Sequence, residues 1–190
     1  MPGSGTRPTS DRVRESLFGA LESLSAIAGA RVLDLYAGSG ALGLESLSRG
    51  AASVDFVERG RQAAAIVRRN VGVVAKAGGL PPGRVHESSV QAFLQRATGP
   101  FDLVFTDPPY DLDDDAMTAD LIALAPLLSS DAVVVVERAR RSTPPNFGAA
   151  DLEQFREKSY GDTTLWWAEP VTDAQDEQAF DQPATESQSR

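Results

Sequence analysis

Asp107, Pro108, Pro109 and Tyr110 form the segment whose residue types most clearly suggest chemistry. They follow the apolar run Phe101–Thr106, which has the composition of a buried strand. Two prolines fix φ and remove two backbone donors, so their carbonyls and the Asp107 carboxylate form a rigid set of acceptors. With Tyr110 as a stacking face, this set can hold a planar amine whose lone pair attacks a methyl group. The alternative is a proline turn with a surface tyrosine.

A second candidate site is a glycine-rich loop that follows the apolar run 31–36. Gly38, Gly40 and Gly43 make a G-x-G-x-x-G pattern, which is a weak signal alone and a stronger one between a strand and a helix. Glu58 ends the next apolar run, 18 residues after Gly40, where an acid would bind ribose hydroxyls. The alternative is a tight strand-to-helix turn that binds no ligand.

Asp34, four residues before the first glycine, helps to choose between the two cofactors that suit such a loop. A nicotinamide dinucleotide places its pyrophosphate at the helix N-terminus, where this carboxylate would repel it. The ammonium and sulfonium groups of S-adenosylmethionine would instead be attracted. Asp34 could also be a structural acid bonded to loop amides.

The elements that position these residues alternate between strands and helices. Helical spacing predicts helices over 11–24 (with Thr9 or Ser10 as N-cap), 41–48, 62–74, 90–97 and 116–128. Strands are predicted over 31–36, 53–58, 84–87, 101–106 and 132–137, followed by a hairpin of 158–160 and 163–168. Continuous apolar strands separated by helices indicate βαβ units, a mostly parallel sheet and ligands beyond the carboxyl ends of its strands.

Composition excludes several other chemistries. The 190 residues include no cysteine and one histidine, which rules out disulfides, thiolate zinc sites and a catalytic cysteine. There is no run of 18 apolar residues and no apolar segment of a signal peptide, so we expect a cytoplasmic protein. The formal net charge of -9 argues mildly against a nucleic-acid partner.

The acidic glycine loop and the Asp107–Tyr110 segment together resemble class I S-adenosylmethionine-dependent methyltransferases that act on exocyclic amines. More narrowly, RPTSDRVRESLF at 7–18, DLYAGSG at 34–40, DPPY at 107–110 and YGDT at 160–163 resemble the RsmD family. The resemblance implies methyl transfer to the N2 amine of one guanine of 16S ribosomal RNA, guanine 966 in that family. It also implies an α/β, Rossmann-like fold: a seven-stranded, mostly parallel sheet with an antiparallel last strand and helices on both faces.

The resemblance further implies individual roles. The catalytic residues would be Asp107, Pro108, Pro109 and Tyr110, which would hold the guanine amine. The cofactor-binding residues would be Thr9, Asp34, Tyr36, Ala37, Gly38, Gly40, Glu58, Arg59, Ser89, Val90 and Asp107, with no metal. Glu58 would bind the ribose hydroxyls, and Thr9 and Arg12 would close over the cofactor or the RNA. Family members often have Asn or Asp where Ser89 stands.

We expect a loose segment over 1–10, a methyltransferase domain over 11–170 and a disordered acidic tail over 171–190. The tail has five acids and one arginine, so about half of the net charge lies outside the domain. The family normally has a basic hairpin before the R-P-T motif, but only six residues precede Arg7. This predicts a trimmed chain or a misassigned start.

Two alternatives use the same motifs. One is a DNA adenine-N6 or protein-amine methyltransferase, and the other is a cofactor-binding module without activity. If the chain is instead the ribosomal RNA methyltransferase that the resemblance implies, its partner would be 16S ribosomal RNA within a small-subunit particle, and the enzyme would be a monomer.

Arg138, Arg140 and Arg141 follow a predicted strand and are the best remaining candidates for phosphate contacts.

Overall fold

The computed structural model describes residues 8–78 and 83–172. The helices are α1 (Pro8–Ser23), α2 (Ala41–Ser48), α3 (Arg61–Gly78), α4 (Val90–Leu94) and α5 (Asp114–Leu124). The strands are β1 (Arg31–Leu35), β2 (Ser53–Glu58), β3 (Gly83–Glu87), β4 (Phe101–Thr106), β5 (Leu128–Ala139), β6 (Leu152–Tyr160) and β7 (Thr163–Pro170). Most of the predicted tail lies outside these residues.

All seven strands form one sheet in the order β3-β2-β1-β4-β5-β7-β6. Neighbours from β3 to β5 are parallel, while β7 is antiparallel to both β5 and β6. The predicted mostly parallel sheet with an antiparallel last strand is therefore confirmed. Strand order reverses between β1 and β4, which creates a crevice at their carboxyl ends.

Helices cover both faces of the sheet, as the resemblance implied. One face packs against α1, α2 and α3 through side chains such as Phe18, Leu47 and Val67. The other packs against α4 and α5 through side chains such as Phe93 and Leu121. Alternate residues of the central strands enter opposite cores, so these strands are apolar on both sides and read as continuous hydrophobic runs.

The terminal hairpin differs from its prediction. Trp166 and Trp167 enter opposite cores of the sheet and both are buried, at 2% and 0% exposure. The reason is that β7 lies inside the sheet, between β5 and β6. The edge strand β6 begins at Leu152, well before the predicted residue 158, and its mainly exposed polar side chains hid it from a search for apolar alternation.

Four of the five helices also differ from their predicted bounds: α3 extends to Gly78 beyond the predicted residue 74, and α4 ends at Leu94 before the predicted residue 97. α1 begins at Pro8, so Thr9 and Ser10 lie in its first turn and neither is its N-cap. Proline suits this position because the first helical residue needs no backbone donor. α5 begins at Asp114, because the Asp113 side chain accepts from Ala116 N at 2.7 Å, and ends at Leu124 where a short 3-10 turn containing a proline follows. No helix among the described residues has the length and apolarity needed to cross a membrane.

Candidate active site

A cavity of about 670 Å³ opens at the carboxyl edge of the sheet, in the size range of small-ligand sites. Its walls come from the segments that follow β1, β2, β3 and β4. The structure brings ten of the predicted site residues to its lining: Tyr36, Gly38, Glu58, Arg59, Ser89, Val90, Asp107, Pro108, Pro109 and Tyr110. Asp34, Ala37 and Gly40 are buried and do not line it, and the Thr9 side chain lies outside what the structure describes.

The glycine loop owes its shape to two left-handed residues. Gly38 has φ 56° and Gly40 has φ 80°, a region that disfavours residues with a Cβ. Gly40 is also the N-cap of α2, and it turns the chain from β1 into that helix. A Cβ on Gly43 would come within 2.3 Å of the Phe56 ring, so this glycine lets α2 pack closely on the sheet.

Glu58 joins the two loops on this side of the cavity. One carboxylate oxygen accepts from Gly38 N at 3.0 Å and the other from Gly60 N at 2.6 Å. The side chain is half-buried and lines the cavity. Each carboxylate oxygen can accept further bonds, so ribose hydroxyls could be bound here while the amide contacts persist.

Asp34 lies beneath the loop rather than in the cavity. It is 3% exposed, and one of its oxygens accepts from Gly43 N at 2.9 Å. Burial raises the pKa of Asp34 to about 7, and the nearby Asp107 and Glu58 also raise it, while the Gly43 amide acts in the opposite direction. Asp34 therefore holds the loop in place, and when ionised it interacts electrostatically with the Asp107 and Glu58 carboxylates of the cavity.

Tyr36 connects the glycine loop to α5. Its backbone is left-handed, with φ 59°, and its hydroxyl donates to the buried carboxylate of Asp120. Burial and this contact raise the pKa of Tyr36, so the phenol stays protonated and keeps donating. The ring is thereby fixed in the cavity wall.

The Asp107–Tyr110 segment forms the opposite wall. Asp107 is exposed toward the cavity. Partial burial of its carboxyl by the surrounding protein nevertheless disfavours the charged form and raises its pKa to about 6. The Pro109 carbonyl accepts from Leu112 N at 3.0 Å and closes a turn, so the acceptor set differs from the expected one. Among the described residues, no donor reaches the carbonyl of Pro108. The free acceptors are therefore that carbonyl and the Asp107 carboxylate, and the Tyr110 side chain beside them is 86% exposed.

Arg138 is not available for phosphate, contrary to the sequence-based expectation. It is 9% exposed and donates to Asp114 at 2.8 Å and to the carbonyl of Leu112 at 2.7 Å. These bonds fix the chain that follows Tyr110 to β5. Arg140 and Arg141 are exposed, as expected of residues that could contact phosphate.

Six residues that line the cavity were not anticipated: Val57, Gly60, Ser88, Gln91, Asp111 and Leu112. All of them lie within two positions of a predicted site residue in the chain, so their signal was position at a strand end rather than residue type. Ser89 both lines the cavity and caps α4, accepting from Ala92 N at 3.3 Å. Its residue type is therefore explained by the helix that follows.

The cavity and its surroundings are rich in carboxylates. Glu58 and Asp107 line it and Asp34 lies behind it, with the Arg59 guanidinium at the rim. Such a site repels a pyrophosphate and attracts cationic groups. The residues therefore fit S-adenosylmethionine, since Glu58 could accept from ribose hydroxyls and the acids would attract an ammonium and a sulfonium group. No cluster of three or more potential ligands for a metal ion occurs within the described ranges.

The protein has the features of a class I methyltransferase, namely the order of its strands, the glycine loop and the Asp107–Tyr110 segment. A family model described as conserved hypothetical protein 95 matches residues 1–169. The chain therefore belongs to this family, the RsmD family of methyltransferases. It is 38% identical over 157 residues to ribosomal RNA small subunit methyltransferase D of Escherichia coli K12, a match covering 83% of this chain and 76% of that protein.

Solved structures agree on the fold. A conserved hypothetical protein of Streptococcus pyogenes superposes with a TM-score of 0.73 and 34% identity, covering 83% of this chain and 95% of that one. Magnesium protoporphyrin IX methyltransferase of Synechocystis, solved with S-adenosylmethionine bound, gives a TM-score of 0.71. Its identity is 15%, with coverage of 89% of this chain and 87% of that one, so it supports the fold alone.

Proposed function

We propose that this protein transfers the methyl group of S-adenosylmethionine to the N2 amine of a guanine in 16S ribosomal RNA. The observation that carries the proposal is the juxtaposition of the Asp107–Tyr110 acceptors with an acidic cavity behind a glycine loop. The RNA substrate is supported by the relative named ribosomal RNA small subunit methyltransferase D. Guanine 966 is the target that the family resemblance suggests.

In this reaction the residues act mainly by positioning. S-Adenosylmethionine, when bound, supplies an electrophilic methyl group. The Asp107 carboxylate and the Pro108 carbonyl accept the two N–H bonds of the amine, and Tyr110 stacks on the base. Because the pKa of Asp107 is about 6, the carboxylate is mostly ionised at neutral pH and can accept. Alignment of the two reactants lowers the barrier without prior removal of a proton. As the bond from N2 to the methyl group forms, the bond from the methyl group to sulfur breaks and S-adenosylhomocysteine is the leaving group. The methylated amine then releases one proton to the Asp107 carboxylate, so the step balances.

The proposal includes the molecular setting. The substrate is the RNA within a small-subunit particle in the cytoplasm, the enzyme acts as a monomer, and no metal takes part. Residues 11–170 correspond to the catalytic domain, although α1 extends three residues further toward the N-terminus.

Analysis of the product nucleoside tests the chemistry. Small-subunit particles from a strain lacking the family enzyme are incubated with the protein and S-adenosylmethionine. Their RNA is then digested to nucleosides and analysed by mass spectrometry against standards. We expect N2-methylguanosine. N6-methyladenosine in a parallel digest of duplex DNA, with unmodified ribosomal RNA, would instead support the alternative of a DNA methyltransferase.

A further inference from the structure

A second carboxyl, that of Glu137, lies beside Asp107. Thr106 and Val136 are paired in register between β4 and β5, so the residues that follow them are neighbours at the carboxyl edge. Glu137 lines a small cleft together with Asp107, Pro108, Pro109, Tyr110 and Thr163. The segment Asp107–Tyr110 thus lines both the cofactor cavity and a cleft that contains Glu137.

Glu137 is a half-buried acid without a cationic partner among the described residues. The adjacent Arg138 is occupied by Asp114 and by the carbonyl of Leu112. Burial, together with the charge of Asp107, raises the pKa of Glu137 to about 7, while the Thr163 side chain acts in the opposite direction. An acid held in this way disfavours folding, and such groups occur often where a ligand will be bound.

Guanine has the edge that such an acid would recognise. Its N1–H donor is adjacent to the N2 amine, whereas adenine and 2-aminopurine have an acceptor at N1. An enzyme that modifies an unstacked base can recognise that base by hydrogen bonds to this edge. With Asp107 and the Pro108 carbonyl on the amine, a carboxylate on the β5 side of the segment is placed for the neighbouring N1–H.

We propose that Glu137 is a specificity-determining residue, which accepts the N1–H of guanine and rejects bases that have an acceptor there. The inference rests on the proposed function, and it adds the group that selects the base. A site built to bond a donor discriminates strongly against an analogue that lacks it, because its own acceptor is then left unpaired.

The test compares two bases at the methylated position. Small-subunit particles are reconstituted with 16S RNA carrying guanine or 2-aminopurine, which keeps the N2 amine but has an acceptor at N1. At about pH 8.5, where Glu137 with a pKa of about 7 is ionised and can only accept, we expect the wild type to prefer guanine by on the order of 100-fold in kcat/KM. Glu137→Gln can donate its amide N–H to that acceptor, so its preference should fall to within roughly tenfold. Glu153→Gln, at an exposed position of β6, is the matched control and should keep the wild-type preference.

The outcomes separate the two proposals. No transfer to guanine by the wild type would contradict the proposed function itself. Transfer by the wild type with an unchanged base preference in Glu137→Gln would overturn the role of Glu137 alone. Should Glu137→Gln not fold, Glu137→Asp retains an acceptor. It should turn over more slowly with the guanine preference intact, and loss of that preference would contradict the inference.

Discussion

At the scale of single residues, the proposed function assigns positioning of the methyl acceptor to Asp107 and binding of the cofactor to Glu58. Asp107→Ala should abolish methyl transfer while cofactor affinity stays within about tenfold, or ~1.4 kcal/mol.

Glu58→Ala should weaken cofactor binding, because it loses both the ribose acceptor and the bonds to Gly38 and Gly60. Calorimetric titration with S-adenosylmethionine and a transfer assay measure the two effects. Full activity in Asp107→Ala, or unchanged affinity in Glu58→Ala, would remove that residue from its role.

Asp34 makes folding stability depend on pH. Its pKa is about 7 in the folded protein against 3.8 in the unfolded chain. Between those values the folded state binds more protons, so this group lowers the free energy of unfolding as pH rises from about 4 to 7, by at most ~4 kcal/mol. Asp34→Asn should reduce that dependence in urea unfolding at pH 5 and pH 8, while the raised pKa values of Asp107 and Glu137 leave a remainder of the same sign. The exposed control Asp131→Asn should retain it, and equal slopes for the two variants would refute the assignment.

At the scale of elements, the close approach of α2 to β2 sets the glycine loop. A Cβ on Gly43 would lie 2.3 Å from the Phe56 ring and 2.8 Å from Val54. Gly43→Ala should therefore lower the free energy of unfolding by about 1–3 kcal/mol. Gly19→Ala in α1, with no atom within 4 Å, should raise it by about 0.4–1 kcal/mol. Thermal and urea unfolding measure the free energies of unfolding of the two variants. Equal changes would show that α2 and Phe56 can move apart to accommodate a Cβ at position 43.

The sequence was most informative where burial and turn chemistry act locally. β2, β4 and α2 have their predicted bounds, because apolar runs and a glycine N-cap define them without reference to distant residues. The edge strand β6 was mostly missed, since its polar exposed surface depends on pairing with β7. Glu58 and Asp107, predicted as site residues from the strand ends that flank β1, line the same cavity. The sequence offered Asp34 as a structural acid bonded to loop amides only as an alternative, and the place of Glu137 beside Asp107 required the sheet register.

At the scale of the whole molecule, the charge of -9 must be reconciled with an RNA substrate. Arg140 and Arg141 are exposed immediately after β5, close to the cleft that contains Glu137. Replacing both with Ala should lower kcat/KM for small-subunit particles roughly tenfold and weaken its dependence on salt. Rates at about 50 and 200 mM salt measure the effect. Cofactor affinity should not change, and Arg84→Ala on the edge strand β3 should resemble the wild type. An unaltered salt dependence in the double variant would place the RNA contacts elsewhere.

The most direct test of the central claim is transfer of a labelled methyl group from S-adenosylmethionine to competing substrates. Wild-type protein and Asp107→Ala are each given small-subunit particles, naked 16S ribosomal RNA and duplex DNA, and the labelled nucleotide is mapped. We predict label on the N2 amine of one guanine of 16S ribosomal RNA with the wild type and none with Asp107→Ala. Label only in DNA, or no label on any substrate by a protein that binds the cofactor, would contradict the account.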